Sequence, residues 1–380
     1  MMKLKRFILI FVFLPLLLCC GGKENIVEVP PPTPIETDPP SGGDEGDDNG
    51  QGNENPGGGE NTHSGPWDAN RGKVVTPTAG KDGWTSSTVR EGIVYYHLSG
   101  TEAVSGVKQE IFAVDLDLNN PAYKVTLTRT SPAAFTSTVH KNNGAIVTIN
   151  AGYEAGSIYI RSNGTDYSVI PNTQISDTGQ DNWKSEGAFY IDSKGVPGFV
   201  FVGSPKRDGV VSGIKGATYA NAVKAQRNYY MNTLKKDSYP FLLSSAPTMI
   251  DDYEPLGETF CDYTISDNQV SKLNSENLER HQRVRHPRTA VGLTEHNHLI
   301  LLVVDGRRTS RNGMSCRELT QFMVKWFNPQ YALNLDGGGS SAMCVEGLGK
   351  SDTHVVNSPI DGGTSGQERA RDTHIIILEK

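Results

Sequence analysis

The sequence predicts an α+β fold: mixed, strand-rich sheets with a few packed helices and a site at the strand ends and loops. Short Val/Ile/Leu/Tyr-rich runs dominate the chain from residue 67 onward. One strongly amphipathic helix stands among them, and three of the apolar runs end in Asn or Asp followed closely by glycine.

The first residues stand apart from this body. Lys3, Lys5 and Arg6 form a basic region, Phe7 to Leu18 an apolar one too short to span a bilayer comfortably. Leu17 to Cys20, "LLCC", has the form of a bacterial lipobox, with Cys20 as the lipidated residue and Cys19 as the small residue before the cut. An ordinary secretory signal or a single anchor helix is the alternative. Residues 21–66 read as a disordered Pro/Gly/acidic tether, stiff in its proline half and flexible in its Gly/Asn half. Residues 36–60 carry eight acidic side chains and no basic one, so the net charge of −7 belongs to the tether. The body, residues 67–380, is close to neutral and offers no basic field for nucleic acid. The expected location is outside the cytoplasm, lipid-anchored to a bacterial membrane.

Strands are expected at 92–98 (GIVYYHL), 110–118 (EIFAVDLDL) and 123–130 (YKVTLTRT), and a hairpin over 187–202 turns at Asp192-Ser193-Lys194-Gly195. The clearest helix runs from Ser315 to Phe327. Ser315 and Glu318 make a capping box, Leu319, Phe322, Met323, Trp326 and Phe327 form one stripe, and Asn328-Pro329 stops it. "RHQRVRH" at 280–286 reads as a solvated loop, and 203–285 as a candidate insertion with few motifs. Cys261, Cys316 and Cys344 allow at most one internal disulfide, and the body contains no CxxC zinc pattern.

The runs AIVTIN, LILLVVD and YALNLD end at Asn150, Asp305 and Asp336. Each has the continuous apolar character of a strand buried on both faces. Glycine follows each: Gly152 after Ala151, Gly306, and Gly337-Gly338-Gly339. Strand ends of this kind collect at one rim of a sheet, where loops carry sites. Glycine-rich backbone can approach an anion closely. The block "DGGGSSAM" lacks the Lys of a phosphate-binding Walker loop and the second glycine of a nucleophile elbow. Ser340 and Ser341 therefore read as hydrogen-bond donors. Arg288 begins a strand and Arg307, Arg308 and Arg311 follow Asp305. Guanidinium forks suit paired phosphate oxygens; Arg308 and Arg311 have the character of solvated loop arginines. Neither "HNH" at 296–298 nor "DLDLNN" at 115–120 completes a metal site, and no H-E-x-x-H occurs.

The blocks INAGYE (149–154), HPRTAVG (286–292), VVDGRR (303–308), LNLDGGGSSAM (333–343) and VNSPIDGGTSGQERARDTHIII (356–377) resemble, in this order, those of the phosphodiester glycosidase family. The likeness spans roughly residues 90–380. It implies hydrolysis of a sugar-1-phosphodiester, N-acetylglucosamine-1-phosphodiester-like, at its glycosidic C1–O bond to free sugar and a phosphomonoester. Matching positions are Asn150, Gly152, Arg288, Asp305, Arg307, Asp336, Gly338, Ser340, Ser341, Glu368 and Arg369. Departures are Ala151 and Tyr153 where relatives often show Gly and Phe, and Ala246-Pro247 where Gly-Pro is expected.

On this resemblance the catalytic candidates are Asp336, with Glu368 as partner or orienter, and Asp305, which either orients Arg288 or holds a divalent cation with Asp336. Arg288, Arg307 and Arg369 would bind phosphate, with Asn150, Gly152, Thr289, Gly337, Gly338, Gly339, Ser340 and Ser341 around it. No cofactor is required; a divalent cation is allowed. The alternative is a non-catalytic phosphoglycan-binding surface lipoprotein, whose groove would display exposed Trp or Tyr; Trp67, Trp84 and Trp183 lie outside the motifs, and core packing is the more ordinary role for them.

Overall fold

The computed structural model describes residues 65–172, 183–202, 210–211, 214–215, 219–258, 265–274 and 276–380. The signal-like segment with Cys19 and Cys20, the tether up to residue 64, and Cys261 lie outside the described residues.

A seven-stranded antiparallel sheet runs in spatial order Trp84–Arg90, Ile93–Thr101, Lys108–Asp117, His298–Val304, Arg288–Leu293, Tyr331–Asn334 and Thr248–Ile250. Its central strands are buried on both faces, which explains why they read as unbroken apolar runs. On one face Ile111, Ala113, Ile300, Leu302 and Ala290 pack with Leu319, Phe322 and Met323 of the helix Cys316–Trp326. That helix begins where its capping box places it: Ser315 Oγ accepts from Glu318 N at 3.2 Å, and the Glu318 carboxylate accepts from Ser315 N at 2.9 Å. The opposite face contributes Phe112, Val291 and Leu301 to the main core.

Two smaller sheets close that core. The strands Met343–Val345, Val147–Asn150, Arg371–Glu379 and Tyr123–Ala134 form one, supplying Ile149, Met343 and Ile375. The strands Thr165–Val169, Tyr159–Ser162, Phe241–Ser245, Gly187–Ile191 and Pro197–Phe201 form the other, supplying Ile160, Leu243 and Phe189. Outside the first lies the helix Thr136–Asn143, through Val139 against Ile376. The helix Tyr219–Asn232 covers the second, through Tyr230. The fold is α+β and strand-rich, as the sequence indicates. Residues 203–285 contribute a central strand of the five-stranded sheet, Phe241–Ser245, and an edge strand of the large one, Thr248–Ile250.

One local reading is corrected. The stretch 280–286 is not simply a solvated loop: its first turn belongs to a short helix, Leu278–Arg283, with Leu278 and Gln282 buried. Asn277 caps it by accepting from Glu279 N at 3.0 Å and Arg280 N at 3.3 Å. Arg288 then ties its carboxyl end down, donating from Nη2 to the carbonyls of His281 (2.7 Å) and Val284 (2.9 Å). Capping and a nearby arginine together offset the polar composition.

Candidate functional site

The strand Arg288–Leu293 starts where its antiparallel neighbours end: Arg288 pairs with Val304, and Ala290 with Asn334. One rim therefore gathers Arg288, Asp305 and Asp336. Two bonds join this rim to the four-stranded sheet. Asp336 N donates to the carbonyl of Ala151 at 2.9 Å, and Asn150 Nδ2 donates to the carbonyl of Asp336 at 2.6 Å. Asn150 Oδ1 accepts from Thr289 Oγ1 at 2.9 Å and from Ala342 N at 3.0 Å; Thr289 Oγ1 also lies 3.3 Å from Ser341 Oγ. Asn150, Thr289 and Ser341 form a buried polar layer beneath the glycine loop. Ser340 is fully buried, its hydroxyl beside the Asp336 carboxylate.

Asp336 is buried, and its Oδ2 lies 2.9 Å from Arg371 Nε. Burial raises its carboxyl above the ordinary value, while the charge of Arg371 and the hydroxyl of Ser340 oppose the rise. Arg371 also reaches Glu154, with Nη1 3.3 Å from Oε1, and donates from Nη2 to the carbonyl of Gly152 at 3.3 Å. Lys184 Nζ lies 3.7 Å from Glu154 and 2.7 Å from Glu276. Gly152 cannot carry a side chain: a Cβ there would fall 2.6 Å from Leu243 and 2.9 Å from Thr373 Oγ1.

The three glycines have separate reasons. A Cβ at Gly337 would lie 2.7 Å from the Pro287 carbonyl oxygen, and one at Gly339 would lie 2.8 Å from both Arg369 Nη2 and Asp361 Oδ1. Gly338 has φ +64°, the left-handed region, and its Cβ would meet Arg307 Nη2 at 2.9 Å. Gly338 N donates to the carbonyl of Pro287 at 2.8 Å, so this amide is committed to the chain. The bare backbone chiefly admits guanidinium groups.

Those groups form a dense cationic set. Arg307, itself at φ +61°, has its ionisation weakened by burial and by Arg369, Arg288 and Arg280, with Asp361 opposing them. Arg369 Nε donates to Asp361 Oδ1 at 2.7 Å. His286 is driven down to about 3 by burial and by Arg288, Arg307 and Arg280. Arg288 is anchored more than it is offered: besides the two carbonyls already named, its Nε donates to Met314 O at 2.8 Å. Beside Asp336 and Arg288 stands a buried aromatic wall in which Trp183 and His281 have ring centroids 4.5 Å apart, Tyr153 and Trp183 5.7 Å. Trp84 and Trp183 are buried and Trp67 half-buried, so none of the three is an open stacking surface.

Two carboxylates expected in the chemistry are engaged elsewhere. Asp305 accepts from Arg311 Nη1 (2.9 Å), Asn357 Nδ2 (2.9 Å) and Ser358 N (3.0 Å). It fixes two loops, orienting Arg311 where the sequence suggested Arg288. Among the described residues no three His, Cys, Asp or Glu side chains cluster as a metal site. With Asp305 fully bonded, the pair Asp305/Asp336 does not fit a shared divalent cation. Glu368 accepts from Ser137 N at 3.0 Å and Ser137 Oγ at 2.5 Å, capping the helix Thr136–Asn143. Arg308 and Arg311 are loop residues, donating to the Gly363 carbonyl and Asp305 respectively.

Sequence reasoning missed Arg371, Glu154 and Lys184. Glu154 closes the INAGYE block and Arg371, like Arg288, starts a strand, the one signal that pointed to it. Among the described residues, Cys316 and Cys344 are buried free thiols.

A sequence model of the phosphodiester glycosidase family matches residues 141–378. Among solved structures, the chain is similar to the catalytic domain of zebrafish N-acetylglucosamine-1-phosphodiester alpha-N-acetylglucosaminidase auto-inhibited by its pro-peptide, at 18% identity and TM-score 0.49, covering 81% of this chain and 87% of that one. It is also similar to a hypothetical protein from Synechocystis, at 14% identity and TM-score 0.45, covering 78% of this chain and 64% of that one. No curated protein matches.

Proposed function

The chain belongs to the phosphodiester glycosidase family, and from that premise we propose that it hydrolyses the C1–O bond of an N-acetylglucosamine-1-phosphodiester-like substrate, giving free sugar and a phosphomonoester. The observation that carries this reading is the meeting of Asp336 with the arginines at its own glycine loop. Gly338 abuts Arg307, Gly339 abuts Arg369, and Asp336 heads the same loop. A phosphate already leaves well, so strong protonation of the leaving oxygen is less needed than for ordinary glycosides. The guanidinium groups of Arg307 and Arg369 stabilise the charge that develops on it. Asp336, half-neutralised by Arg371, faces the anomeric centre and stabilises its oxocarbenium character.

A binding-only protein is the second reading, and the ion pair of Asp336 with Arg371 favours it, because a locked carboxylate is a poorer catalyst. Product analysis decides. Incubation with N-acetylglucosamine 1-(methyl phosphate) yields free N-acetylglucosamine and methyl phosphate under the glycosidase reading. It yields sugar phosphate if the P–O bond breaks, and nothing if the protein only binds. The lipobox-like "LLCC" and the tether extend the proposal to an exported, lipid-anchored enzyme acting on phosphoglycans. Metabolic labelling with a palmitate analogue, lost in Cys20→Ala, tests that part.

A further inference from the structure

Glu368, the carboxylate the sequence puts forward as partner to Asp336, has both oxygens on Ser137. A different carboxylate stands where a partner is needed. Arg371 lies between Asp336 and Glu154, at 2.9 Å from the first and 3.3 Å from the second. Its own place is fixed: it begins the strand Arg371–Glu379, its carbonyl accepts from Thr130 Oγ1 at 3.2 Å, and its Nη2 holds the Gly152 carbonyl. The two carboxylates differ in the way an acid–base site requires. Asp336 is enclosed, its side chain 10% exposed, whereas the Glu154 side chain is 61% exposed and open to water.

We propose that Glu154 is the catalytic base of this site and that Arg371 is the positioning residue holding it in register with Asp336. The proposal rests on the glycosidase reading and deepens it. The water oxygen forms the new bond to C1 as the C1–O bond breaks, its electron pair leaving with the phosphate. The water proton passes to the Glu154 carboxylate and then to solvent. The enclosed Asp336 stabilises the positive charge at C1.

The local charges suit these roles. Against the burial that would raise it, Arg371 and Lys184 hold the Glu154 carboxyl below its ordinary value, while burial lifts Asp336. Environments that push two neighbouring carboxylates apart are the pattern of divided acid–base duty. The charged groups facing Glu154 are Arg371 from the four-stranded sheet, Lys184 from the segment before Gly187–Ile191, and Asp336 from the glycine loop, with Glu276 behind Lys184.

The test uses the full chain with N-acetylglucosamine 1-(methyl phosphate) and follows free sugar. Glu154→Gln, at an exposed position, should leave thermal unfolding unchanged, lower kcat by about 100-fold or more, leave KM within about 3-fold, and abolish the acid limb of the pH–rate profile. Arg371→Met should move that limb to higher pH, and Arg371→Lys should return it toward the wild-type position. A Glu154→Gln enzyme with wild-type kcat and an intact acid limb overturns the proposal while leaving the glycosidase reading in place. A wild-type chain that releases no sugar overturns that reading first, and the role of Glu154 with it.

Discussion

Gly338 lies so close to Arg307 that a single added carbon would stand 2.9 Å from the guanidinium, and both residues occupy the left-handed region, at φ +64° and +61°. A left-handed arginine is strained, and such strain is tolerated where the surroundings over-determine it. Here the glycine makes the space and the arginine fills it.

Gly338→Ala should therefore injure function more than folding. The backbone term costs about 1 kcal/mol, but the displaced guanidinium should raise KM by about 10-fold or more. Steady-state kinetics beside thermal unfolding separates the two; an unchanged KM would mean that Arg307 does not contact substrate.

Asp336→Asn keeps shape and removes charge. Turnover should fall by about 100- to 10,000-fold, while affinity for methyl phosphate, measured calorimetrically, stays within about 3-fold or improves as a negative charge disappears. Unaltered turnover would remove Asp336 from the chemistry.

Arg369→Ala should weaken methyl phosphate binding by about 1.5–3 kcal/mol, the range for a charge-assisted hydrogen bond. The loss should shrink as ionic strength rises. Asp361→Asn should tighten binding slightly, since the carboxylate that competes for Arg369 is gone. Equal affinities in all three proteins would place the anion elsewhere.

Glu368→Gln separates a helix cap from a catalyst. The helix Thr136–Asn143 has Phe135 at its start, which offers no side-chain cap, and Glu368 supplies one from 231 residues away. Stability should drop by about 1 kcal/mol and Tm by about 2 °C, with kcat within about 3-fold of wild type. A collapse of kcat would return Glu368 to the chemistry.

Acid should unfold this protein through its buried histidines. His374 is buried with neither ring nitrogen partnered among the described residues, and burial with the nearby Arg371 lowers it to about 3. Its folded value lies below the unfolded one, near 6.5, so its full contribution to stability exists above about pH 6.5. As pH falls from there toward 3, that contribution is lost by about 1.4 kcal/mol per pH unit. His374→Leu should move the acid-unfolding midpoint to lower pH, and a midpoint unmoved or raised would show that His374 does not drive the transition.

The sequence discloses what is written locally. The helix Cys316–Trp326 is legible because cap, stripe and stop are within one short stretch, and Asn150, Asp305 and Asp336 because burial on two faces leaves a continuous apolar run before each. Asp305 and Asp336 share one rim through antiparallel pairing, and Asn150 joins them from the four-stranded sheet by its bond to the Asp336 carbonyl. Illegible are the relationships made across the chain. Glu154 and Arg371 are 217 residues apart and meet only because the strands Val147–Asn150 and Arg371–Glu379 pair in one sheet, with Asn150 opposite His374. Asp305 and Glu368 look like reagents in sequence because nothing local reveals that Asn357, Ser358 and Ser137 will occupy their oxygens.

One amide group, that of Asn150, simultaneously grips the Asp336 carbonyl, the Thr289 hydroxyl and the Ala342 N–H. The pocket is consequently not a detachable module. Grafting Asp336–Ala342 onto a foreign scaffold would carry over the letters without the clasp that gives them their shape, and an engineer seeking new specificity would do better to leave this clasp untouched and redesign the outer rim around Glu154.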